Sequence, residues 1–217
     1  QTNAAGTGSH TEGYQTETTA NYCHSEGYQT LASNIAAHSE GWNTVASGLY
    51  SHAENRNTVA NSTCAHAEGE GTSALADAAH SEGFQSVATG FASHAEGYQT
   101  ESIGSYSHSA GRGAVASATA SSAVGYNVIA DQQYSSVVGQ YNEADRVGTL
   151  FVVGNGESDA ARSNAFEVSS DGALVNGDLE VGGVLSIDGA NFLQIIAGLQ
   201  AQIDALQAEV DALSVGG

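Results

Sequence analysis

The chain of 217 residues has no proline, no methionine and no lysine. Its only basic residues are Arg56, Arg112, Arg146 and Arg162, against 24 acidic ones, for a formal charge of −20 with neutral histidine. So few cations argue strongly against nucleic acid or an anionic membrane as partner. They favour solubility and leave room for bound cations. No apolar run is long enough to span a bilayer. No phosphate-binding loop stands out, and no calcium-type Gly-Asp nonapeptide is present. No signal peptide is recognisable and Gln1 is not an initiator, so the numbered chain is expected to be processed or a fragment.

What is present is a register. The eight histidines are His10, His24, His38, His52, His66, His80, His94 and His108, each fourteen residues after the last. Seven have a glutamate two residues on: Glu12, Glu26, Glu40, Glu54, Glu68, Glu82 and Glu96; after His108 the place is taken by Ala110. A spacing this strict marks a structural repeat. The unit reads Ser-His-Ala-Glu-Gly-Tyr-Gln-Thr-Val-Ala-Ser-Gly-x-x. Glycine fills the fifth position from Gly13 to Gly139, with Asn55 in the one gap. Both residues tolerate positive φ, which predicts a turn column. Threonine dominates the eighth position and alanine the tenth.

Fourteen residues are too few for a helical hairpin, and no apolar period of 3.6 runs through the region. Two short strands and two tight turns fit. Alternation puts Ser, Ala and Gly on one face and His and Glu on the other. Only the small face can line so tight a coil. Successive coils then pair as parallel strands about 4.8 Å apart, giving about ten coils over residues 9 to 145 and a length of about 45 Å. Cys23 and Cys64 fall about three coils apart, roughly 10–14 Å. That is beyond the limit of about 7 Å for a disulfide, and two small buried thiols are expected.

The Ser-x-Ala-x-Gly-x-x-Ser/Thr-x-Ala-x-Gly pattern resembles the head repeat of trimeric autotransporter adhesins, which also recurs in bacteriophage tail fibres. The resemblance implies a left-handed parallel β-roll and a homotrimer. It covers about residues 9 to 145. That family carries aliphatic residues where this chain has His and Glu. Only the last two coils, Ser121-Ser122-Ala123-Val124-Gly125 and Ser135-Ser136-Val137-Val138-Gly139, revert to its pattern.

The expected architecture is an all-β solenoid over 1–145, a β-rich neck over 146–190 and a short α-helical coiled coil over 191–214. In the neck, Thr149-Leu150-Phe151-Val152-Val153 and Asn164-Ala165-Phe166-Glu167-Val168 read as strands, and Asp171-Gly172 and Asn176-Gly177 as turns. The neck weakly resembles strand-rich connectors of phage tail fibres. In the tail, Ile196, Ile203 and Val210 occupy heptad position a, and Leu199, Leu206 and Leu213 position d, with Phe192 leading in. This choice alone points to a dimer, whereas the resemblance implies three chains and is preferred. A lone helix folding back on the roll is the competing reading.

If the small face is inside, His and Glu point outward, to solvent or to a three-fold interface. A roll filled with Ala, Ser and Gly buries little apolar area and needs neighbours, which favours the interface. Glutamates stacked at about 4.8 Å repel by about 3–4 kcal/mol per pair at an effective dielectric near 20. A protonated histidine ladder offsets this with charge-assisted hydrogen bonds. The expectation is therefore raised imidazole and lowered carboxyl pKa values. A metal on the histidine column is a weaker alternative, because a spacing of two on one strand does not close a tetrahedral site. No other cofactor is expected.

Tyr14, Tyr28, Trp42, Phe84 and Tyr98 follow the turn glycine and form a stripe able to stack on sugars or protein. The plainer reading has them covering a corner of the roll or filling clefts between chains. The threonine column resembles ice-binding solenoids only superficially. Adjacent Ser and His face opposite sides of a strand, so a repeated Ser-His-Glu triad and an enzyme are not expected. Two functions remain: a fibre on a cell surface or virion that binds a glycan or surface protein, or a purely structural spacer of an extracellular filament or tail fibre.

Overall fold

A computed structural model describes residues 2–144, 147–180, 186–187 and 190–215, with side chains considered only outside 181–193 and 214–217. The chain divides into two compact units, residues 1–176 and 177–217. The first is an all-β parallel solenoid.

Each coil contributes one long and one short strand. The long strands begin with His10–Tyr14, His24–Tyr28 and His38–Trp42; the short ones with Asn3–Ala4, Glu17–Thr18 and Leu31–Ala32. The short strands stack into a ten-stranded sheet and the long ones into a thirteen-stranded sheet. Pairing is residue on equivalent residue: His10 faces His24, Glu12 faces Glu26 and Tyr14 faces Tyr28. The repeat columns therefore become ladders.

Four columns of mostly small residues line the interior, the first being Ala37, Ser51, Ala65 and Ala79 before the histidines. Ala46, Ala60, Ala74 and Ala88 are fully buried from the short strands, as are Ser39, Ala53, Ala67 and Ser81 from the long ones. Threonine completes them as an internal clamp. Thr44, Thr58, Thr72 and Thr100 donate from Oγ1 to the carbonyl oxygens of Glu40, Glu54, Glu68 and Glu96, at 3.0–3.2 Å. These threonines are buried, so no ice-binding surface exists on that column. Buried hydroxyls carry little net cost when satisfied this way.

The expectation for glycine is half right. From Gly13 to Gly139 the φ values run from 93° to 149°, and a Cβ would stand 2.1–2.3 Å from the carbonyl oxygen of the next coil. Yet these glycines are exposed or, at Gly69 and Gly125, half-buried, and none is interior. The alternation of the strand holds through Glu and breaks at the glycine, because positive φ turns the chain. Two further positive-φ columns went unforeseen. One holds Gln29, Asn43, Gln85 and Gln99; the other holds Tyr22, Ala36, Tyr50, Cys64 and Ala78. The expectation of two buried thiols fails with the second column. Cys23 is buried and its thiol lies 2.8 Å from the Asn34 carbonyl, whereas Cys64 sits in the turn and is exposed; both are free.

The neck strands continue the long-strand sheet. Thr149–Asn155 pairs in parallel with Ser136–Gln140, then Asn164–Ser169 and Gly172–Val175 add antiparallel strands. The last short strand, Ile129–Ala130, is closed by a side chain. The Asn142 amide accepts from the Ile129 N–H at 2.7 Å and donates to the Ile129 carbonyl at 2.9 Å, imitating a further strand. Arg162 donates to the carbonyls of Asn127 and Asn142 and lies over the Tyr141 ring.

The second unit holds a two-stranded hairpin, Ser186–Ile187 with Ala190–Asn191, and the helix Phe192–Val215. Among the described residues, no helix is long and apolar enough to cross a membrane.

Candidate functional site: the histidine and glutamate ladders

The histidines form a stack on the outside of the roll. From His24 to His94 successive rings lie 4.6–4.8 Å apart and within 7° of parallel. The ends loosen, with His10 and His24 edge to face and His108 tilted by 30°. The stack follows from the sheet: equivalent residues on parallel strands repeat at the strand spacing, close to ring-stacking distance. Apart from His10 and Glu12, which are largely exposed, these side chains are about half-buried.

Seven of the eight imidazoles reach a carboxylate, and the choice of partner changes along the roll. His10, His24 and His38 approach Glu12, Glu26 and Glu40 of their own coil at 3.4–3.8 Å. His66, His80, His94 and His108 instead approach Glu54, Glu68, Glu82 and Glu96 of the preceding coil at 3.1–3.7 Å. All seven glutamates are used, and His52 is left over at the switch, with no hydrogen bond to its Nε2. Ala110 explains the direction of the change. His108 has no glutamate in its own coil, takes Glu96 instead, and displaces each earlier pairing until His52. The switch also coincides with a weakened sheet. The strands His52–Ala53 and His66–Ala67 shrink to two residues beside Asn55. Only isolated bridges, Trp42 to Arg56 to Glu70 to Phe84, continue the ladder there.

The electrostatics correct the expected protonated histidine ladder. His38, His52 and His66 all lie below the ordinary imidazole value. Burial is the main cause, and repulsion from the stacked imidazoles adds to it: His24 on His38, His38 and His66 on His52, and His80 on His66. The glutamates pull the other way and lose. A charged ring cannot be sandwiched cheaply between rings that would also be charged. Carboxyl repulsion is relieved at Glu54 instead, which is pushed up to about 7 by burial, by hydrogen bonds to Glu40 and Glu68, and by their charge. Glu68 alone moves in the expected direction. Burial opposes the shift, but the hydrogen bond with Glu54 and the proximity of His66 and His80 outweigh it.

The aromatic residues after the turn glycine lie side by side in two separate blocks. Tyr14 stacks on Tyr28 at 5.3 Å and Phe84 on Tyr98 at 5.1 Å, while Tyr28 meets Trp42 at 4.6 Å with the rings tilted by 34°. Between the two blocks stands an ion pair, Arg56 to Glu70 at 3.1 Å. Arg112 extends the second block, lying 5.3 Å from the Tyr98 ring and 5.2 Å from that of Tyr126. Tyr14 and Trp42 are each 55% exposed. A second set of exposed rings, Tyr22, Tyr50, Tyr106 and Tyr134, stands on the unforeseen turn column. The tyrosines at 28-residue multiples were the available signal. Serine precedes four of the eight histidines, and Ser51, Ser93 and Ser107 are buried inside the roll. They cannot meet the imidazole outside.

In comparisons with known proteins, no family model matches the chain, and no characterised protein shows significant similarity to it.

Proposed function

We propose that this chain is one strand of a homotrimeric fibre displayed on a cell surface or virion. Its left-handed, fourteen-residue-coil β-roll is the adhesive part, and the C-terminal helix clamps three chains together. The observation that carries this reading is the helix seam. Ile196, Leu199, Ile203, Leu206, Val210 and Leu213 are 47–80% exposed in the single chain. A two-column apolar seam left open over three heptads is built for other helices. Gln200 with Asp204 and Gln207 with Asp211 hydrogen-bond one turn apart on the helix at 2.8 and 3.0 Å, supporting the same helix.

The interior of the roll supports the same conclusion. Filled with Ala, Ser and Thr, it gains little from the hydrophobic effect. The His and Glu ladders are proposed to lie at or near the three-fold interface, where a second and third roll complete their burial. The exposed rings are the proposed contact for a glycan or surface protein, since aromatic faces combine apolar area with a polar edge. No nucleic acid partner and no catalytic step form part of the proposal.

A glycan array and a whole-cell binding assay on the full chain test the adhesive role. Binding that falls on Trp42→Ala or Tyr98→Ala supports it. Absence of any binding, with the trimer intact, supports the structural spacer, which the uniformity of the ladders also favours.

A further inference from the structure

The two ladders bring metal-ligating atoms together in three clusters: His66, Glu68 and His80; His80, Glu82 and His94; and Glu40, His52 and Glu54. Within each cluster one ligating atom per residue lies within 4.8 Å of the others. We propose that the ladder binds a divalent transition-metal ion of the zinc and cobalt class at His66, Glu68 and His80, with His80, Glu82 and His94 as the competing seat.

Four observations support this assignment. The donors are two imidazoles and one carboxylate, a set that suits zinc or cobalt and leaves a coordination position to water. Calcium and magnesium call for more oxygen ligands than one carboxylate supplies. The Nε2 atoms of His66 and His80 are shielded from solvent without a well-formed hydrogen bond, and each already faces a carboxylate, Glu54 at 3.7 Å and Glu68 at 3.4 Å. An isolated metal-binding spacing of two on one strand does not close a site; pairing across adjacent coils does, because the parallel register sets His66 directly beside His80.

The geometry also limits loading. An imidazole Nε2 has one lone pair and serves one ion. His80 belongs to two of the clusters, so they cannot both fill. The third cluster has one imidazole and is the weaker site. The roll therefore takes one tight ion per chain in this segment rather than one per coil. The inference concerns a single roll and holds whether or not three rolls assemble.

The test is titration of chelator-treated, washed full-length protein with Co2+ and then Zn2+, by calorimetry and by the visible absorption of bound Co2+. One tight ion per chain with a tetrahedral Co2+ band is expected. His80→Ala should abolish the tight site, since both seats use that ring, and Glu68→Gln combined with Glu82→Gln should weaken it about tenfold or more. Glu70→Gln, whose partner is Arg56 on another column, should leave it unchanged. Circular dichroism of each metal-free variant separates lost binding from lost fold. Absence of tight binding to the folded parent chain, or unchanged affinity in a folded His80→Ala variant, overturns the proposal.

Discussion

At the residue scale the molecule depends on positions where a side chain has no room and on rings that cannot all be charged. Gly83 shows the first. It has φ +93° and a Cβ there would stand 2.2 Å from the Gly97 carbonyl oxygen. Gly83→Ala should lower unfolding free energy by about 3 kcal/mol or more, measured by urea denaturation. Ala78→Gly, at φ 55°, should cost nothing by the same measurement. The ladders show the second. His38, His52 and His66 have folded values below 6.5, so the unfolded chain takes up protons first and stability falls as pH drops below about 6.5. Glu54 has the opposite sign. Its folded carboxyl keeps a proton up to about 7 against an ordinary 4.5, so its contribution is lost as pH rises across that window. Three histidines outnumber one glutamate, so melting temperature in metal-free protein should peak near pH 6.5. A flat profile from pH 5 to 8 contradicts the assignment of charges.

At the scale of elements, one missing carboxylate and one side-chain amide control more than their own neighbourhoods. Ala110→Glu gives His108 an own-coil partner. The switch at His52 should then vanish and the Glu54 carboxyl should titrate lower than about 7, as read by NMR of its carboxyl carbon. Unchanged titration would mean the partner choice is set at Asn55 rather than at the missing glutamate. Asn142→Ala leaves the N–H and carbonyl of Ile129 unpaired at the end of the short-strand sheet. It should cost about 1–3 kcal/mol and speed hydrogen exchange in the last coils. Much of this level was legible beforehand. The histidine spacing gave the coil and the equivalent-residue pairing, because parallel strands convert a period into a ladder. The neck strands were also legible, from β-branched and aromatic runs between turn dipeptides. The Asn142 closure was not, since a lone asparagine gives no pattern. The positive-φ Tyr, Ala and Cys column was missed because those residue types argue against that conformation. The imidazole shifts were misjudged because the sequence shows glutamate beside histidine, while the stack of histidine on histidine exists only once coils pair.

At the scale of the whole molecule, the solenoid and the helix answer different needs. The roll supplies a repeated surface with an interior of small residues, and the helix carries an apolar seam that its own unit leaves exposed. The expected fold class followed from period and residue size. The outward direction of His and Glu followed from the same argument, and the structure places both ladders outside each roll. In the proposed trimer a second and third copy would face those ladders, so assembly is the central claim. Sedimentation equilibrium of the full chain tests it most directly. The account predicts a mass three times the 21.9 kDa of one chain, reduced to a single chain when Ile203 and Leu206 are both changed to Asp. A parent chain that sediments at 21.9 kDa, or at twice that value, contradicts it.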